Sequence, residues 1–290
     1  MRPIATFSIV ARDPATGDLG VATASKFLAV GSVVPYAKAD VAAIATQSYA
    51  NTTYGPRAVQ ALEAGMPLAQ IHDAFVATDP DHALRQYGIV TAAGEAISVT
   101  GDACHPWAGG RSGDGWAAQG NLLTGPEVID AVADTFTRTP GELPERLMAA
   151  LTSGDQAGGD ARGRQGAALY VVRKGGGYGG FNDVWVDLRV DDDPDPVTRL
   201  ADLLRLQRLF AGPAREEDLL DLTGDVAARA LEGLRRAERL PETHQAWDDA
   251  AEAALRDWAG VVNVEDRMVD PGRIDRVVLE YLEEVTREAE

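Results

Sequence analysis

The stretch Thr6–Lys26, TFSIVARDPATGDLGVATASK, decides the fold. A period of two puts Phe7, Ile9 and Ala11 on one face and Thr6, Ser8, Val10 and Arg12 on the other, as a strand requires. Asp13-Pro14-Ala15-Thr16-Gly17-Asp18 carries turn chemistry, because proline presets φ and glycine permits a positive φ. Leu19–Ala24 returns as a strand of small and β-branched residues. The stretch therefore reads as a β-hairpin whose first strand opens on a hydroxyl side chain, Thr6.

Outward from this hairpin, strands and helices alternate to about residue 190. Ser32–Ala37 and Val41–Gln47 are expected as strands around a Lys38-Ala39-Asp40 turn. Tyr54–Ala64 is a helix stopped by Gly65, and Pro67–Thr78 a helix with proline in its first turn. Gln86–Thr91 and Ala96–Gly101 pair around Ala93-Gly94. Pro126–Arg138 and Glu142–Leu151 are helices. Ala167–Arg173 and Val184–Arg189 pair across the glycine-rich Gly175–Gly180 turn. Asp191-Asp192-Asp193-Pro194-Asp195-Pro196 is a turn-rich acidic linker, placing negative charge before a helix over Val197–Phe210, where the helix dipole favours it. The remainder reads as an acidic helical module, with Val226–Arg239, His244–Trp258 and Arg276–Arg287 as helices. Trp247 and Trp258 are placed at helical spacing, as core residues of a small bundle.

Composition narrows the function. A formal charge of −18 disfavours phosphate-backbone binding to nucleic acid and contact with an anionic membrane surface. No apolar run approaches the ~20 residues of a membrane span, and Met1-Arg2-Pro3-Ile4 has no signal-peptide pattern. The single cysteine, Cys104, excludes an internal disulfide and a multi-cysteine zinc site. His72, His82 and His244 lack ligand spacing, so neither metal nor cofactor is expected. The expected location is the cytoplasm. Adjacent Cys104 and His105 point to opposite sides of an extended chain and do not form a catalytic pair.

Several blocks carry a family resemblance: Thr6–Asp13 (TFSIVARD), Ala24–Gly31 (ASKFLAVG), Tyr54-Gly55-Pro56-Arg57, Trp107-Ala108-Gly109, Gln119-Gly120-Asn121 and Gly158–Gln165 (GGDARGRQ). In this order they resemble domain-of-unknown-function family 1028 (DUF1028), which is assigned to the N-terminal-nucleophile (Ntn) hydrolase superfamily. The tail blocks Leu255-Arg256-Asp257-Trp258 and Gly272-Arg273-Ile274-Asp275 resemble a peptidoglycan-binding module. The resemblance implies an α+β fold, a four-layer αββα sandwich over residues 1–211, followed by a small helical module over 212–290. A more distant resemblance is to proteasome-type β subunits, where a threonine opens the first strand and a Ser-Arg pair follows the second, comparable to Ser25-Lys26. Ala24 stands where those proteins carry an acid. Their strand-entry lysine has no counterpart at Gly31 or Ser32, which leaves Lys26 as its substitute.

These resemblances imply an amide hydrolase acting on a small polar amide or short peptide, with Thr6 as nucleophile and Lys26 and Asp160 as its electrostatic partners. An N-terminal threonine uses its own α-amine as base. Five residues precede Thr6, and Arg2 is too large to favour removal of Met1, so the chemistry requires a cut between Ala5 and Thr6. The plain alternative makes Thr6 an ordinary strand residue. Ser25, Gln47, Asn51, Tyr54, Asp102, Gln119, Asn121, Arg162 and Gln165 are the candidate substrate-binding residues, lying at strand ends or in loops, where sites concentrate. Asn51 reads equally as an N-cap of the Tyr54 helix, and Gln119 and Asn121 as turn and capping residues. Asp160 with Arg162 and Arg164 reads as a surface ion cluster or as the holder of a substrate carboxylate. The competing functional reading is a non-catalytic binding or scaffold protein that recognises cell-wall fragments through its tail. A small-molecule ligand and a homodimer are the expected partners.

Overall fold

In a computed structural model of the chain, the structure describes residues 6–212 and 214–287, which form a mixed α+β protein. The Met1–Ala5 leader, on which the free amine of Thr6 depends, lies outside the described residues. Two compact units divide between Leu204 and Arg205.

The first unit opens with β1 (Thr6–Arg12) and β2 (Leu19–Ser25), then β3 (Pro35–Lys38) and β4 (Ala42–Ser48). Helices α1 (Tyr54–Glu63) and α2 (Leu68–Thr78) follow, then β5 (Arg85–Thr91), β6 (Ala96–Thr100), β7 (Gly109–Gly113) and β8 (Trp116–Asn121). Next come α3 (Glu127–Arg138), α4 (Leu143–Gln156), β9 (Gly166–Val172), β10 (Val184–Val190) and α5 (Pro196–Phe210), whose last turns lie beyond the division. The strands form a six-stranded sheet, ordered β10-β9-β2-β1-β8-β7, and a four-stranded sheet, β3-β4-β5-β6, with neighbours antiparallel.

Side-chain alternation sorts the core. Phe7, Ile9 and Ala11 of β1 pack with Ala22 and Ala24 of β2 against Val132, Phe136, Leu147 and Leu151 of α3 and α4. On the opposite face of β1, Val10 joins Leu19, Val21, Ala43, Ala45 and Val90 between the two sheets. Ile44, Tyr87 and Ile89 face outward from the four-stranded sheet onto Tyr54, Val59, Ile71 and Phe75 of α1 and α2.

Four local readings are corrected. Ser32 belongs to a 3-10 turn over Val30–Ser32, and the strand begins at Pro35. Gln119-Gly120-Asn121 is not a turn opening a helix but the end of β8, paired residue by residue with β1. Gly120 is required by packing, since a Cβ there would overlap the Leu123 side chain. The acidic run is tied into the first unit: Ala29 N–H donates to the Asp191 carbonyl, and Asp193 N–H to that of Gln165.

The fourth correction falls in the second unit, which is not wholly helical. It holds β11 (Leu219–Asp221), α6 (Gly224–Arg236), α7 (Asp249–Val261), β12 (Arg273–Asp275) and α8 (Arg276–Arg287), with β11 and β12 antiparallel. Leu234, Leu255, Trp258, Leu279 and Leu282 form its core, and Trp247 packs at the edge. A buried Arg267–Asp275 ion pair joins the segment before β12 to its end. Among the described residues no helix is long and apolar enough to cross a membrane.

Candidate functional site

The central strand of the six-stranded sheet begins at Thr6, which lies opposite Ser25 of β2 on one side and Asn121 of β8 on the other. All three are buried. The antiparallel register thus brings together three residues separated by up to 115 positions in sequence. Behind Thr6, Ser25 and Asn121, the face between the sheets is polar for one more residue of each strand, Ser8, Thr23 and Gln119, before Val10, Val21 and Ala117 take over.

That polar zone is a directed chain of hydrogen bonds between neutral side chains. Gln119 Nε2 donates to Ser8 Oγ (2.6 Å), Ser8 Oγ to Gln47 Oε1 (2.6 Å), and Gln47 Nε2 to Gln86 Oε1 (2.9 Å). Asn121 Nδ2 donates to the same Gln86 oxygen (2.9 Å). Gln47 Nε2 also reaches the carbonyls of Thr6 (3.1 Å) and Gln119 (3.2 Å), while Gln86 Nε2 reaches the Gly120 carbonyl (2.7 Å) and Thr100 Oγ1 (2.9 Å). Gln47, Gln86, Gln119 and Asn121 are fully buried, so these bonds repay a large desolvation cost and hold the sheets in one register. Gln119 Oε1 has no hydrogen-bond partner among the described residues and faces Gly88, where a Cβ would collide with it.

Asp160 clamps the strand ends on both sides of Thr6. Its backbone bridges to Leu123 just beyond β8, and its carboxylate accepts the Lys26 N–H (2.8 Å) just beyond β2. The same carboxylate takes the Arg162 N–H (2.9 Å) and a two-point contact from the Arg162 guanidinium (3.0 and 2.8 Å). The carboxylate is buried while Arg162 reaches solvent. Lys26 is exposed, and its ammonium donates to the Arg164 carbonyl (3.1 Å). Gln165 turns outward to Asp192 (3.0 Å).

Asn51 and Tyr54 belong to a different cluster, beside the outer face of the four-stranded sheet. Asn51 Oδ1 accepts from Thr53 N–H (3.2 Å) and Oγ1 (2.7 Å) at the start of α1, while its Nδ2 donates to Asp79 (2.9 Å). Asp79 also accepts from the Tyr54 hydroxyl (2.9 Å) and from two Arg85 nitrogens (2.9 and 3.1 Å). Arg85, and then Asn51 and Tyr54, hold the Asp79 carboxyl far below the ordinary carboxylate range, despite burial. Burial and the Asp79 bond push the Tyr54 phenol up. Nearby, His72 Nδ1 and His82 Nε2 meet the buried Tyr87 hydroxyl at 2.7 and 3.2 Å. Burial, then the neighbouring His72, lowers the pKa of His82. Asp102 lies exposed in the loop after β6. In that loop Cys104 donates weakly to the Arg85 carbonyl, and burial raises its thiol pKa.

The structure therefore gathers Thr6, Ser25, Gln47, Gln119, Asn121, Asp160 and Arg162 at one end of the sheets. Asn51 and Tyr54 stand in the Asp79 cluster, and Asp102, Gln165 and the Lys26 ammonium face outward. Sequence reading missed Ser8 and Gln86 as members of the network. The available signal was parity: Ser8 shares a face with Thr6, and Gln86 one with Val90. Asp79 and Arg85 gave none, because they meet only through the fold. Among the described residues no cluster of three or more His, Cys, Asp or Glu is placed to hold a metal.

Fold and site together define a two-sheet α+β domain with a neutral polar interior and a threonine at the head of its central strand. The family model described as "Family of unknown function (DUF1028)" matches residues 6–200, and the chain belongs to this family. The model described as "Putative peptidoglycan binding domain" matches residues 209–282. Among solved structures, the chain is similar to a DUF1028 protein from Silicibacter pomeroyi, with 27% identity and a TM-score of 0.64. That match covers 77% of this chain and 89% of the other. No curated protein matches the chain.

Proposed function

We propose that the protein is an amide-bond hydrolase of the Ntn type, acting on a small polar amide or short peptide. In this reading residues 1–211 form a four-layer αββα sandwich and residues 212–290 a small, mainly helical acidic module. The supporting observation is the position of Thr6, first in the central strand and flanked by Ser25 and Asn121. Once the Ala5–Thr6 bond is cut, the Thr6 α-amine accepts the Oγ1 proton, directly or through water, as Oγ1 attacks the substrate carbonyl carbon. The amine returns the proton to the leaving nitrogen, and water then cleaves the acyl–threonine ester. Asp160 acts by holding the Lys26 backbone and Arg162 in place, and the exposed part of Arg162 receives an acidic group of the substrate.

The test is a chain whose initiator methionine directly precedes Thr6, since methionine before threonine is removed and leaves a free amine. This chain should hydrolyse members of a short-peptide and amide panel, and its Thr6→Ala counterpart should lose at least ~10³-fold in rate, as for other covalent nucleophiles. Equal rates in the two chains would remove Thr6 from the chemistry.

A second reading, a binding protein that retains the fold without the chemistry, draws support from the Lys26 ammonium, which is held by the Arg164 carbonyl. The match over residues 209–282 supports cell-wall fragments as its ligand. Saturable calorimetric binding of a muropeptide by a chain inactive on every amide would favour it.

A further inference from the structure

At the end of β1 opposite Thr6, roughly 20 Å away by strand rise, Arg12 and Arg146 line one pocket of about 260 Å³. Its walls include the rings of Trp116 and Phe136, whose centroids lie 6.5 Å apart. The Arg146 guanidinium carbon sits 4.3 Å from the Phe136 centroid. Register explains the meeting: Trp116 pairs with Ala11, and the Arg12 N–H bonds to the Gly115 carbonyl (2.8 Å).

Most arginines elsewhere in this acidic chain hold carboxylates, as Arg85 does Asp79 and Arg173 does Asp18, whereas Arg57 bonds the Thr78 hydroxyl. Arg12 and Arg146 make no ion pair among the described residues, and the Nε of each is shielded from solvent without an acceptor. Asp114 lines the same pocket and pairs with neither. Two arginines that line one cavity without an ion pair repel each other, and an oxyanion bonded to their outer N–H groups supplies a counter-charge. Stacking on Phe136 leaves the donors of Arg146 free in the plane of its guanidinium. The two rings present an apolar wall, and the volume suits a ligand smaller than a drug-sized one.

We infer that this pocket binds a compact ligand bearing a carboxylate or phosphate on a flat apolar body. The site is separate from Thr6 and independent of the hydrolase reading. Calorimetric titration of the full chain with benzoate, phenyl phosphate, inorganic phosphate and benzylamine tests it. Benzoate or phenyl phosphate should bind saturably and more tightly than inorganic phosphate, while benzylamine should not bind. The preferred anion distinguishes a carboxylate from a phosphate ligand. Arg12→Gln and Arg146→Gln, each checked for a cooperative melt, should each weaken binding about tenfold or more. Should Arg12→Gln fail to fold, Arg146→Gln carries the comparison, together with Trp116→Phe, which should abolish a ligand-induced fluorescence change. Absence of saturable binding by both aromatic anions, or unchanged affinity in the folded arginine variants, would overturn the assignment. So would inorganic phosphate or benzylamine binding as tightly as the aromatic anions.

Discussion

Gln47 is the residue on which the two sheets most depend. It accepts from Ser8 and donates to Gln86 and to two backbone carbonyls, all out of water. Gln47→Leu preserves bulk but takes away the acceptor of the Ser8 hydroxyl and a donor to the Thr6 and Gln119 carbonyls, so urea unfolding should show a loss of about 3 kcal/mol, near the top of the range for buried unsatisfied groups. A loss below ~1 kcal/mol would show that the partners re-pair. Gly88→Ala should destabilise as well, because its methyl collides with Gln119 Oε1. Thr6 was legible from its place before an alternating strand, but its neighbours were not. Asn121 sits opposite Thr6 through pairing across 115 residues, and nothing local in Gln-Gly-Asn announces a strand. A glycine kept for close packing carries the same letter as one kept for a turn.

At the scale of elements, Asp79 joins the loop before α1, the end of α2 and the start of β5. Its folded-state pKa is depressed, so its contribution to stability is complete above the ordinary carboxylate range, near pH ~4, and is lost as pH falls below it. Asp79→Asn should lower stability at neutral pH by about 3 kcal/mol and flatten the acid limb of the stability–pH curve. His82 works over a higher window. Its lowered pKa means that the unfolded chain takes up the proton first, so stability falls as pH drops through ~6.5. In His82→Gln that slope should vanish while the acid limb governed by Asp79 persists, which denaturation at a series of pH values would show. The helices of this region were readable from periodicity and flanking glycine or proline. Strand β7, Gly109–Gly113, was not, since three of its five residues are glycine and nothing alternates.

For the whole molecule, the dominant quantity is charge. The chain carries −18, and its self-repulsion favours the unfolded state at low ionic strength. Raising salt to ~0.3 M shortens the screening length and should raise the midpoint of thermal unfolding, because exposed arginine–carboxylate pairs contribute little singly. A midpoint that falls with salt would show that the pairs dominate. Composition puts a change of character near residue 190, whereas the units divide between Leu204 and Arg205, and the β11–β12 pair was not visible in it at all. Three-residue strands 54 positions apart leave no periodic trace.

The web of Ser8, Gln47, Gln86, Gln119 and Asn121 contains no group that titrates, although it lies at the heart of the first unit. Its side-chain amide protons are therefore a built-in spectroscopic reporter. Buried and bonded, the NH₂ resonances of Gln47 and Gln86 should resist exchange with deuterated solvent far longer than those of an exposed residue such as Gln245, at acid and neutral pH alike. Their decay measures the separation of the two sheets directly, apart from any fraying of the helices outside them.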